Sequence, residues 1–102
     1  MKRERRDVAV GHFFASDYDA ARRRFVAAAG AAGAELDSLE SPVTGPAGQT
    51  LTTDLGWIGP KDAGQVLVTI SGTHGVEGFC GNGCQVAWLE SGLAGELPAA
   101  MA

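Results

Sequence analysis

Histidine and cysteine are scarce, two of each among 102 residues, and this limits the metal and redox chemistry open to the chain. Two cysteines are too few for a disulfide scaffold and fit a reducing compartment. A closed thiolate metal site also needs more Cys or His than is present. Cys80 and Cys84 stand four apart, on one face if helical, and are read as small apolar packing residues. No stretch approaches the roughly 18 consecutive apolar residues of a membrane span, and "MKRERRD" leads into no apolar signal-peptide core. The expected setting is the cytoplasm, with no membrane partner. Bases are nearly absent from the larger part of the chain: residues 25–102 hold one Lys/Arg against eight acids. That balance argues against nucleic acid as a partner. The basic charge collects at the start, where "KRERR" has the composition of a polyanion patch but is read, with residues 1–12, as a flexible, solvated terminus.

What is present describes one globular domain. Hydrophobic residues make up 45% and charged residues 20% of the chain, which excludes disorder and fibrous classes. Ser16, Asp17 and Asp19 open a helix over about 17–32, whose apolar stripe runs Tyr18, Ala21, Phe25, Ala28 and Ala32 and which ends at Gly33. Arg22, Arg23 and Arg24 fall mostly off that stripe and read as exposed. "AELDSLES" is a weak strand candidate, "PVTGPAGQ" a loop, and "TLTTDLGWIG" a half-buried strand with Leu51, Thr53, Leu55 and Trp57 on its inner face. Val66 to Ile70 is β-branched and nearly continuous, the pattern of a strand covered on both faces and the most interior segment of the chain. A second helix is expected over about 77–91, from the spacing of Cys80, Cys84, Ala87 and Trp88, despite the cost of Gly81 and Gly83. The fold class expected is α/β, a partial mixed sheet with covering helices.

The chemistry concentrates in "SGTHGVEGFCGNG", residues 71–83, directly after the buried-strand candidate. In open α/β sheets ligands gather beyond the carboxyl ends of strands. A tight turn over 74–77 would bring the His74 imidazole and the Glu77 carboxylate to one ion, with zinc bonds of roughly 2.0–2.2 Å. Glycines at 72, 75 and 78 would let the backbone come close to a ligand. Two readings without a metal stand beside this one. The glycine-rich loop could cradle phosphate, although it lacks a Walker lysine and a full G-x-G-x-x-G. Alternatively, Glu77 is a helix-start carboxylate and His74 a buried hydrogen-bond donor.

"TISGTHGVEGFCGNGCQ", with "FFASDYDAARRRFVAAA", "TGPAGQTLTTDLGWIGP" and a late "LP", resembles the DUF2817 family of the M14 zinc carboxypeptidase-like superfamily, from about Phe13 to Pro98. "GTHGVE" is also similar to the motif of the related aspartoacylase and succinylglutamate desuccinylase group. The resemblance implies a doubly covered mixed α/β sheet and a zinc ion held by His74, Glu77 and a downstream histidine. It implies a peptide or acylated amino acid as substrate, a downstream general-base glutamate, and a later arginine region for the substrate carboxylate.

Those further groups have no counterpart here. His12 lies before the first helix, where the resembled family has no ligand, and is kept only as an alternative donor; Asp54 and Glu90 read as exposed charges. The expectation is therefore that residues 1–102 form a truncated amino-terminal part of one M14-like metallopeptidase domain, with an incomplete zinc site and no activity alone. An unfinished sheet would leave edges and apolar surface exposed. Self-association through a sheet edge, as a non-catalytic fragment or interaction module, is the competing expectation.

Overall fold

The computed structural model describes residues 10–102. A 3-10 turn over Val10–Phe13 leads into α1, Tyr18–Ala31. The Asp17 carboxylate caps α1 by accepting the Ala20 N–H at 2.8 Å, and Gly33 stops it by taking φ 85°. The expected helix is thus confirmed, with Asp17 as its cap.

β1, Glu35–Thr44, and β2, Thr50–Trp57, follow as an antiparallel hairpin. Leu39 stands opposite Thr53 and Glu35 opposite Trp57, with an irregularity between Glu40 and Thr44. β1 runs further than expected: Pro42 to Thr44 belong to the strand, and the turn is confined to the segment where the Gly45 N–H reaches the Gln49 carbonyl at 2.8 Å. After β2 come turns through residue 65, an extended segment to 70, and then α2, Gly78–Glu90. Gly92 ends α2 at φ 78°, and a second 3-10 turn covers Leu93–Glu96. The described residues form a mixed α/β structure with two helices and one two-stranded antiparallel sheet.

The core lies between the helices. Ala28 and Ala29 of α1 meet Val86 and Leu89 of α2, with Ala94 closing one end and Phe13, Phe25, Ile58 and Trp88 packed around. The stripe expected on α1 is the buried one, and its alanines let the helix axes come close. On α2 the buried face is Gly83, Val86 and Leu89. Cys80 and Cys84 point away from it and are exposed, contrary to their reading as packing residues.

The hairpin meets α1 through the face opposite to the one expected. Even-numbered residues of β2 turn toward the helix: the Tyr18 hydroxyl accepts from the Thr52 N–H at 2.7 Å, and the Arg22 guanidinium holds Thr52 and Asp54 at 2.7 and 3.0 Å. Leu39, Val43 and Leu55 are left exposed. Polar contacts decided the face, because Arg22 and Asp54 satisfy each other only with the hairpin turned this way. Neither is therefore the solvated charge read from sequence; the Asp54 side chain is only 9% exposed.

The largest departure is Val66 to Ile70. The segment is extended, but only its start is paired: Gln65 and Met101 form a parallel bridge, the Leu67 N–H donates to the Ala102 carbonyl at 2.8 Å, and the Ala102 N–H donates to the Gln65 carbonyl at 3.2 Å. Val68 and Ile70 are 70% and 79% exposed, so this run is not the interior of the described residues. Its composition suits a covered strand, yet it meets a described element at one side chain, Thr69, which accepts from the Gln85 amide of α2 at 3.1 Å, while Val66, Leu67, Val68 and Ile70 are left exposed. Residues 10–12 of the expected flexible terminus sit in the first 3-10 turn, where Arg24 donates to the His12 carbonyl at 3.0 Å; residues 1–9 lie outside the described residues.

Burial works to raise the pKa of Asp54, but hydrogen bonds from Ser38, Arg22 and Thr52 and the Arg22 charge outweigh it and leave the carboxyl below its ordinary value. A carboxyl with a lowered folded-state pKa stabilises the fold above its unfolded pKa, and that stabilisation disappears as pH falls through the folded value. The urea midpoint should therefore drop as pH is lowered from about 5 to 3, less steeply in Asp54→Asn. Arg22→Ala should cost about 1–2 kcal/mol at neutral pH in the same measurement.

Candidate metal centre

Residues 71–77 rise from the end of the extended segment and turn into α2. Gly72 has φ 73°, a conformation open to glycine, and reverses the chain just before His74. Three successive turn bonds then wind into the helix: Gly78 N–H to Gly75 O at 2.9 Å, Phe79 to Val76 at 3.2 Å and Cys80 to Glu77 at 3.0 Å. A side chain at Gly78 would put its Cβ 2.8 Å from the Gly72 Cα, so the two glycines close the neck of the loop.

His74 and Glu77 converge above this neck, with Nδ1 and Oε1 3.6 Å apart. That is too long for a hydrogen bond, so neither group satisfies the other directly. It matches the spacing of two donors on one tetrahedral zinc ion, since bonds of about 2.0–2.2 Å at the tetrahedral angle separate their ends by about 3.3–3.6 Å. The donor types fit as well, an imidazole nitrogen and a carboxylate oxygen. The Gly75 N–H donates to Glu77 Oε1 at 3.2 Å and orients the carboxylate; a Cβ on Gly75 would stand 3.2 Å from Oε2.

The pair is open to solvent, with side chains 82% and 65% exposed. A buried hydrogen-bonding role for His74 is therefore overturned. Glu77 does occupy the position before α2, yet its side chain makes no capping bond to the helix. As a bare surface ion pair the two would contribute under about 1 kcal/mol.

No third donor joins them: among the described residues there is no group of three His, Cys, Asp or Glu placed to share a metal. His12 lies 3.6 Å from Glu90, at the other end of α2. Helix rise separates Glu90 from Glu77 by about 20 Å, which removes His12 as a replacement ligand. Glu90 is exposed, as expected, but has His12 as a neighbour. Arg22 is engaged by Asp54 in the hollow that both line with Val26, Leu36, Asp37 and Ser38. Among the described residues no helix is long and apolar enough to cross a membrane.

Sequence reasoning missed the residues that hold the loop in place. Beneath it the Gln85 amide bonds both Ser71 and Thr69. The one available signal was Gln85 standing seven residues after Gly78, hence on the same helix face.

No curated protein and no solved structure matches the chain. The family model for DUF2817, a protein family of unknown function, matches residues 14–102, which take in the hairpin, the His74 to Glu77 loop and α2. The chain belongs to the DUF2817 family.

Proposed function

We propose that His74 and Glu77 are two ligands of the zinc ion of a carboxypeptidase-like metallohydrolase, acting on a peptide or amide bond. The observation that carries this is the 3.6 Å convergence of an imidazole and a carboxylate that do not bond each other. Both sit on a loop whose glycine neck leaves little freedom. When bound, zinc supplies Lewis acidity toward a carbonyl oxygen and lowers the pKa of water. The chain's own part is to present one neutral and one anionic donor, with the Gly75 N–H aiming the carboxylate. The remaining ligand, the general base and the group that binds the substrate carboxylate lie outside the described residues on this reading.

The M14-like fold belongs to the same proposal. The parallel bridge between Gln65 and Met101, with α2 as the crossover between the two, supports it, because parallel neighbours require such a helical connection. Substrates of the aspartoacylase type, N-acyl amino acids, are the alternative within this chemistry.

A second reading, a non-catalytic interaction module, is favoured by the exposure of Val66 to Ile70. An uncharged β-branched run free of Pro and Gly is a template for pairing with another chain.

Two experiments test these readings. Zinc titration by calorimetry should be run in a Cys80→Ser, Cys84→Ser background, because two exposed thiols one helical turn apart could bind zinc themselves. His74→Ala and Glu77→Gln should each weaken binding by about tenfold or more, or about 1.4 kcal/mol; equal binding in all three proteins removes the pair from the metal. For the second reading, light scattering should show mass rising with concentration, and Val68→Lys should return the protein to monomer, as charges on an exposed edge do. A wild-type monomer with a cooperative, high-temperature transition would argue against self-association.

A further inference from the structure

Three glycines stand in α2, at 78, 81 and 83, although glycine costs a helix interior about 1 kcal/mol relative to alanine. Each marks a close approach. Gly83 lies against the ring of Phe14, on the side that packs toward α1. The other two face the extended segment: a Cβ at Gly78 would meet the Gly72 backbone at 2.8 Å, and one at Gly81 would meet the Ser71 Cβ at 3.0 Å. Residues 71 and 72 therefore lie almost directly on the helix backbone.

One turn further along the same face is Gln85. Its two amide atoms are both used: the Ser71 hydroxyl donates to Oε1 at 2.7 Å, and Nε2 donates to the Thr69 hydroxyl at 3.1 Å. Thr69 and Ser71 alternate with Ile70, so both present their hydroxyls to α2 while Ile70 points away and is exposed. Residues 68–70 have no strand partner among the described residues, which leaves this contact as their attachment.

We propose that Gly78, Gly81 and Gln85 form a seat on α2 that sets the position of residues 69–72, and that Gln85 is in this way a positioning residue for the His74 and Glu77 pair. The metal part of this inference rests on the reading of that pair as ligands. The logic is geometric. Gly72 is the last residue held by the seat and Gly78 the first residue of the helix, so the loop between them inherits its height and tilt from the seat. If residues 69–72 slide along the helix, His74 moves while Glu77, joined to α2, stays. The donor spacing is then lost without any change to either ligand.

The test reads the loop directly. The Gly75 amide bonds Glu77 Oε1, so its NMR resonance reports the turn between the two ligands. In Gln85→Leu, of similar size, the Gly75 and His74 resonances should shift while those of α1 and the hairpin stay in place, and zinc affinity in the Cys80→Ser, Cys84→Ser background should fall about tenfold. Gln85→Glu keeps an acceptor for the Ser71 hydroxyl and should recover most of both signals. Should Gln85→Leu fail to fold, Thr69→Val with Ser71→Ala breaks the same contacts from the other side and carries the same expectation. An unmoved Gly75 resonance with unchanged zinc affinity overturns the proposal. Should the unsubstituted ligand pair bind no zinc at all, the metal reading falls, and the Gly75 resonance alone still decides whether Gln85 positions the loop.

Discussion

The contact of Ala28 and Ala29 with Val86 and Leu89 is the joint from which the rest of the molecule is suspended. It is small; Val86 is the one large side chain that is fully enclosed among the described residues. Small residues on both helices let the backbones approach, so that dispersion contacts accumulate over a short interface. Each helix then carries one attachment of a different kind. The first holds the hairpin through the Tyr18 hydroxyl and the Arg22 to Asp54 pair, and the second holds the glycine-rich loop through backbone proximity and the Gln85 amide.

These attachments contrast in chemistry. The hairpin is bound by charge-assisted hydrogen bonds around one carboxylate, where Ser38, Thr52 and Arg22 all point at Asp54. Such a cluster is specific in geometry but sensitive to the loss of any one member, because the remaining groups are left short of partners. The loop is bound by the positive φ of Gly72 and by the absence of side chains at Gly78 and Gly81. There the specificity is steric, and almost any added atom disturbs it.

Much of this was legible in the chain. Asp17, the alanine stripe and Gly33 delimit the first helix because capping and periodicity are local signals. Gly92 marks the end of the second in the same way, and the glycines around His74 and Glu77 already allowed the tight turn that brings the two together. The faces of β2 were not legible. Alternation shows which residues share a side, but the sheet turned toward α1 the side carrying Thr52 and Asp54, since Arg22 and Tyr18 had to be satisfied there. The apolar run at 66–70 was misread for a related reason. Its residues express a preference for being covered, whereas burial depends on a neighbour that the run itself does not specify. Gly81 reads in the sequence as a cost to the helix and Gly78 as a point of approach to a ligand, whereas both lie against residues 71 and 72.

The bridge between Gln65 and Met101 also gives the molecule a direction. Both segments ascend the same way, so whatever polypeptide prolonged that ladder past Ala102 would climb alongside residues 68–70 rather than return toward the hairpin. At about 3.3 Å per step, roughly five steps would bring it level with Ser71.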